Sequence, residues 1–309
     1  MRPDKRRAVE QFLNWVSVHR YDFNPFFYYV ESFCKSTHAN FISAVTPVAA
    51  SILHLHAMDE NRFVERGEIV PRKYAIENYQ DKYGAVSLDE CAKNWLSEFL
   101  RTELHRFKPL VDATYACLLK MVLIHKMDGR PLVEKLRNFE TFMCNDLGAH
   151  LARESLFAAY YFADLLGSMV GAQANSNYEK TKKNLRATAW DILLLRFPEL
   201  LLNPFHLPEM TLAYVCSAEK KLFEIGRLFE VEMLAVRSDN MVGAISAIEM
   251  NYAPLEVKMG QKVRENIFSL SDDVKNNRVI NGPSVIFSET EISFLIIDLE
   301  MQLRNLCRG

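Results

Sequence analysis

Apolar residues recur at helical spacing through the first third of the chain, which predicts a helical subdomain over residues 1–107. One of its helices has a clear start signal, because Ser87 and Glu90 form a capping box. The stretch 62–82 is polar and rich in turn residues, so it offers little to a core. The helices predicted here cover residues 5–19, 26–33 (where a strand would also fit) and 87–107, and residues 39–57 are predicted to be a buried segment interrupted at Pro47.

From Pro109 the pattern changes to longer apolar runs. Leu110 and Val111 lead into Asp112, and the almost wholly apolar run 113–124 predicts a buried helix. Asp112 would then lie at a helix N-terminus, either as a cap for free amides or as a carboxylate held by the helix dipole. Further helices are predicted over 132–143 and 147–169.

Glu154 falls on the apolar stripe of the predicted helix 147–169, three residues after Leu151 and four before Ala158. An unpaired buried charge is costly, so this carboxylate needs a partner. The partner is either an arginine, in a structural ion pair, or a bound cation. The sequence leaves both possibilities open.

The stretch 185–236 alternates helical and β-type patterns. A helix carrying Asp191 is followed by a proline-containing loop, a β-type run over 211–216, the acid Glu219, a second helix and a short apolar run over 233–236. Open α/β sheets place binding sites outside the carboxyl ends of their strands. The pattern therefore predicts a site near Glu219.

The remaining residues, 241–309, read as a helical extension: a helix near 240–250, a polar stretch over 257–281 and a final helix over 289–306. We therefore expect three parts, a helical subdomain 1–107, an α/β core 108–240 and the extension 241–309. The predicted fold class is α/β but predominantly helical, with a small parallel sheet flanked by helices. An all-α fold is the alternative.

The chain has 309 residues, 49% hydrophobic and 25% charged, with a formal charge of −2. That balance gives no global positive field, so a nucleic-acid partner would need a local basic patch. One such run comprises Lys180, Lys182, Lys183 and Arg186, which is either a solvated helix face or a surface that follows a phosphate backbone. No apolar run reaches bilayer length, and the six scattered cysteines lack a C-x-x-C pair. We expect a soluble, cytoplasmic protein.

Four acids carry the candidate chemistry: Asp112, Glu154, Asp191 and Glu219. Carboxylates that converge without histidine or cysteine suit Mg²⁺ or Mn²⁺, which prefer oxygen ligands. Two such ions can activate a water and stabilise the leaving oxygen in phosphodiester cleavage.

The order of these acids over about residues 108–240 resembles that of PIN-domain ribonucleases, whose parallel sheet gathers three or four acids at its C-terminal edge. By this resemblance Asp112, in PLVDATYA, ends the first strand, and Ser217-Ala218-Glu219 is similar to the Ser/Thr-x-Asp turn after the fourth. Two features depart from the family, because the last acid is Glu and only a short apolar run precedes Asp112.

The resemblance implies metal-dependent cleavage of RNA or other single-stranded nucleic acid, as in a toxin or defence effector. All four acids would be catalytic, and the metal ligands would be Asp112, Asp191 and Glu219. The helical N-terminal region would serve regulation or assembly, by binding a protein partner.

The alternative is a non-enzymatic helical interaction or regulatory protein. In that interpretation the four acids are helix caps and ion pairs, the apolar helices form a bundle, and exposed aromatic residues bind a partner.

Overall fold

The computed structural model describes residues 3–19, 24–34, 38–102, 104–127, 129–166, 177–201, 212–217, 219–236, 244–263, 265, 267 and 289–307. The chain divides into two compact units, Met1–Lys108 and Pro109–Gly309. The predominantly helical character expected from the sequence is confirmed. Among the described helices, none combines the length and the apolar character needed to cross a membrane.

The named elements of the N-terminal unit are all helices in its described part. Its elements are α1 (Pro3–Val18), α2 (Phe26–Cys34), α3 (His38–Ala57), α4 (Glu60–Arg66), α5 (Lys73–Tyr83) and α6 (Leu88–Thr102). The polar stretch 62–82 lies largely in helices α4 and α5 rather than in turns. Gly67 and Gly84 end these two helices at φ 69° and 58°, in the left-handed conformation that glycine adopts without steric cost.

An aromatic core holds this unit together. The Tyr29 side chain is buried, with its ring centre 4.9 Å from that of Trp95 in an edge-to-face contact. Helix α3 packs against α6 and is continuous through Pro47. The capping signal of α6 is confirmed, because the Glu90 amide donates to Ser87 Oγ at 3.2 Å.

The C-terminal unit contains the long helix α7, which begins at the end of the first unit, and a short β-ribbon. Its elements are α7 (Leu104–Met127), α8 (Leu132–Asn145), α9 (Ala152–Phe162), α10 (Tyr178–Leu201), α11 (Lys220–Gly226), β1 (Phe229–Val236), β2 (Ala244–Met250), α12 (Ala253–Met259) and α13 (Glu289–Leu306). Its core is formed largely by the apolar side of α7 together with α8, α9 and α10.

The predicted small parallel sheet is not seen in the described part of the chain. The two strands there, β1 and β2, are antiparallel, with Phe229 opposite Met250 and Val236 opposite Ala244. Of the run 211–216, which was predicted to be a strand, the described residues 212–216 form neither helix nor strand. The helix predicted near 240–250 was wrong, because Ala244–Met250 pairs with β1 as a strand.

The prediction that Asp112 ends a strand or begins a helix was also wrong. Helix α7 starts at Leu104 and runs through Pro109, so Asp112 lies inside it. An interior proline costs a helix about 3 kcal/mol. The buried apolar side chains that follow, among them Leu118, Leu119 and Val122, supply packing free energy that exceeds this cost.

Candidate functional site

Glu154 lies in the first turn of α9, and both of its carboxylate oxygens are occupied. Thr114 of α7 donates its hydroxyl hydrogen bond to Oε1 at 2.7 Å. Arg196 of α10 donates to Oε2, also at 2.7 Å. Because the Glu154 side chain is only 1% exposed, this ion pair is shielded from water and ties three helices together.

Arg153, the residue before Glu154, makes a second buried ion pair with α10. Its guanidinium bonds the Glu199 carboxylate and lies 5.3 Å from the centre of the Phe229 ring at the start of β1. Burial lowers the pKa of Arg153 to about 10, and the neighbouring charge of Arg196 acts in the same direction. Consecutive residues of α9 thus carry opposite charges, each paired with the opposite charge on α10.

Asp191 of α10 pairs with a cation on the next helix. Lys221 of α11 places its Nζ 3.2 Å from Asp191 Oδ2 and 3.1 Å from Thr188 Oγ1. Both side chains of the ion pair are partly exposed to water, so removing one partner should cost less than it would in the buried Glu154 pair.

Asp112 and Glu219 occupy different surroundings. Asp112 is buried in α7 two residues before Thr114, which places it about 200° around the helix from the residue that contacts Glu154. Glu219 is exposed at the N-cap of α11, where its side chain makes no capping bond and its amide donates to Ser217 Oγ at 3.0 Å. Ser217 and Glu219 are therefore linked by a local hydrogen bond.

The described residues contain no group of three or more His, Cys, Asp or Glu side chains that could hold a metal ion. Glu154 and Asp191, two of the proposed acids, each face a protein cation instead. A Mg²⁺ or Mn²⁺ ion needs several converging oxygens, and the carboxylates of Glu154 and Asp191, each paired with a protein cation, do not provide them. Metal binding by Asp112, Asp191 and Glu219 stays a prediction from the sequence.

The predicted nucleic-acid-binding run of α10 divides into two pairs. Lys180 and Lys183 are exposed. Lys182 and Arg186 bond the carboxylate of Glu300 on α13, at 2.6 and 3.1 Å. Half of the predicted basic surface therefore anchors the C-terminal helix.

Glu300 is a further structural acid that the sequence interpretation missed. It accepts a hydrogen bond from Tyr115 Oη at 2.9 Å, and Arg186 lies 4.4 Å from the centre of the Tyr115 ring. Burial would raise the pKa of Glu300, but the hydrogen bonds from Lys182, Tyr115 and Arg186 outweigh it and lower that pKa. The sequence does contain an indication of this structural role. Glu300 follows Leu299 and lies four residues after Ile296 in an apolar helix, a position next to the core.

In the N-terminal unit, helix α1 exposes a row of large apolar side chains. Val9, Phe12, Trp15 and Val18 follow one another at intervals of three residues, and each is between 37% and 57% exposed. The neighbouring Val16 is buried, and α1 packs against α4. Each step of three residues falls 60° short of a full turn, so this row, called the α1 face, winds around about half of the helix with Phe12 and Trp15 at its centre.

No family model, curated protein or solved structure matches the chain. The resemblance to PIN-domain ribonucleases is accordingly neither supported nor opposed by relatives.

Proposed function

We propose that the protein is a non-enzymatic helical interaction protein whose N-terminal unit binds a protein partner through the α1 face. The observation that carries this proposal is the row of exposed apolar residues Val9, Phe12, Trp15 and Val18. Successive members of this row lie about 60° apart around the helix, so Phe12 and Trp15 share one exposed apolar patch, and such patches mark interaction sites in soluble proteins. Tryptophan is also among the residues that most often dominate binding energy at interfaces.

The contacts of the acids support the same proposal. Carboxylates in structural ion pairs face protein cations and not a bound ion, and Glu154, Asp191 and Glu300 each contact a lysine or an arginine. The six cysteines are free thiols, which supports a location in the reducing cytoplasm.

Site-specific photocrosslinking in the source cells tests the α1 face. A photoreactive phenylalanine analogue replaces Trp15, and in a matched control it replaces Val86, an exposed apolar residue of the same unit. We expect one discrete protein adduct from position 15 and none from position 86.

A second variant tests whether the adduct at position 15 depends on the α1 face. Phe12→Asp places a charge beside Trp15 and should abolish the adduct at position 15. Because Phe12 is only 37% exposed, the circular dichroism spectrum of this variant is compared with that of the wild type to check that it folds. Equal labelling from positions 15 and 86, or an adduct that survives Phe12→Asp, would rule out the α1 face as the binding surface.

A metal-dependent nuclease acting on RNA or single-stranded nucleic acid is the second candidate. One observation favours it: the helices that carry three of the predicted acids are direct neighbours, α9 to α10 through Glu154–Arg196 and α10 to α11 through Asp191–Lys221. Exposed Lys180 and Lys183 lie on the same helix as Asp191. This candidate retains the small parallel sheet and the Mg²⁺ or Mn²⁺ ligands proposed from the sequence.

Thermal unfolding with added cation tests the nuclease candidate without a substrate. An ion that binds the folded state at 100 times its Kd stabilises that state by about 2.7 kcal/mol. If the protein is a metal-dependent nuclease, Mn²⁺ should raise its Tm, and the Asp191→Asn substitution should abolish that increase. An unchanged Tm with Mn²⁺ and Mg²⁺ would count against the metal site.

A further inference from the structure

Helix α13 is apolar on two opposite sides, but the described part of the chain covers only one of them. Ile292, Ile296, Leu299 and Leu303 are buried against the unit. On the opposite side Phe294, Ile297 and Met301 are 57% to 67% exposed. At about 100° per residue these two groups point roughly 160° apart. The surface formed by Phe294, Ile297 and Met301 is called the α13 seam below.

Glu300 fixes the orientation of α13 about its own axis, and this orientation determines the direction in which the seam faces. Its bonds to Lys182 and Arg186 of α10 hold one edge of the helix against the unit. This leaves the seam directed away from the buried side. Several large apolar side chains exposed side by side mark an interaction surface, so the α13 seam has the character of a surface that a partner covers.

The two flanks of the seam carry opposite charges. On the side of Glu300 lie Lys182 and Arg186, whose side chains remain 31% and 49% exposed. On the other side lies Asp298, which accepts a hydrogen bond from the amide of Gln302 at 2.7 Å. The seam is thus bordered by a basic edge and an acidic edge.

We propose that the α13 seam pairs with the same seam of a second copy of this chain, with the two helices parallel about a two-fold axis. In a parallel pair the acidic edge of each helix faces the basic edge of the other, so Asp298 meets the partner's Lys182 and Arg186. An antiparallel pair would place like charges together. Lysine and arginine carry several donors each, so both can bond Glu300 and Asp298 at once.

The seam also has the spacing of a short coiled coil. Phe294, Ile297 and Met301 are separated by three and then four residues, as core positions of a parallel two-stranded pair are. Three large side chains, each mostly exposed, offer on the order of 400 Å² per copy, against about 800 Å² per partner in a standard stable interface. The dimer should therefore dissociate at micromolar concentrations.

Light scattering coupled to size exclusion, at concentrations from about 1 to 500 μM, measures this equilibrium. The full chain should change from a mass near 35.7 kDa toward twice that value as concentration rises. Ile297→Glu should remain monomeric throughout, with an unchanged circular dichroism spectrum because Ile297 is exposed. Val257→Glu, on the exposed surface of α12, is the matched control and should dimerise like the wild type.

Disulfide trapping tests the parallel arrangement, in a background where Cys34, Cys216 and Cys307 are serine. Met301→Cys should crosslink to itself on oxidation, because a parallel pair places both copies of residue 301 together. An antiparallel pair would instead crosslink only in a mixture of Phe294→Cys and Met301→Cys, which would overturn the parallel arrangement. A wild type that stays monomeric at every concentration, or a dimer insensitive to Ile297→Glu, would overturn the interface itself.

Discussion

Replacing Glu154 by glutamine tests whether this acid is structural or belongs to a metal site. The substitution should lower Tm in the first case and raise it in the second. In the structure Glu154 neutralises Arg196 inside the unit. Removing one partner of a buried ion pair costs about 3–5 kcal/mol, because the other charge stays buried without compensation. Glutamine keeps an acceptor for Thr114, so we expect the lower end, about 3 kcal/mol. For a unit of this size that corresponds to a fall in Tm of roughly 6–12 °C.

The assay is thermal and urea unfolding followed by circular dichroism, with Arg196→Met and the double variant completing a mutant cycle. We expect a favourable coupling between Glu154 and Arg196 of 0.5–3 kcal/mol, as for other residues in direct contact. Acids crowded into an empty metal site repel one another, so removing one of them would stabilise the protein. An increase in Tm for Glu154→Gln would therefore refute the structural role.

The remaining predictions concern other buried or paired groups. Asp191→Asn should cost no more than about 1 kcal/mol in urea unfolding, and less in high salt, because its pair with Lys221 is partly exposed. The lowered pKa of Glu300 means that its stabilising effect is present above the ordinary glutamate pKa and is lost as pH falls through the lowered value. Glu300→Gln should therefore lower Tm at neutral pH, and its difference from wild type should vanish in acid. Phe139→Ala, in the core, should cost about 3–5 kcal/mol by calorimetry.

Elements with strong local signals could be predicted from the sequence. The final helix was predicted over 289–306 and spans Glu289–Leu306. The helix beginning after Ser87 was found with its cap in place. Apolar spacing and capping residues are close together in the sequence, so these features can be read without knowledge of the rest of the fold.

The strands could not be predicted in the same way. Ala244–Met250 is a strand because it pairs with Phe229–Val236, and nothing within seven residues reveals a partner elsewhere in the chain. Short apolar runs suit both helix and strand, which is why the run before Asp112 was interpreted as a strand end. The structure places that run inside α7, where the buried side of the whole helix decides the conformation.

The candidate site shows the same limit. The sequence showed that Glu154 needs a partner, since an acid on an apolar stripe must be neutralised. It could not select Arg196, which lies 42 residues away on another helix. The bonds from Lys182 and Arg186 to Glu300 span more than 110 residues, so the division of the basic run also depended on the tertiary fold.

The most direct test of a structural role for the acids is cleavage of labelled RNA and single-stranded DNA by the purified full chain. Parallel reactions contain Mn²⁺, Mg²⁺ or EDTA, with wild type, Asp112→Asn and Asp191→Asn. A non-enzymatic interaction protein should give no cleavage above the EDTA control in any reaction. Metal-dependent cleavage by the wild type that both substitutions abolish, while the far-ultraviolet circular dichroism spectrum remains native, would contradict this account and establish the nuclease.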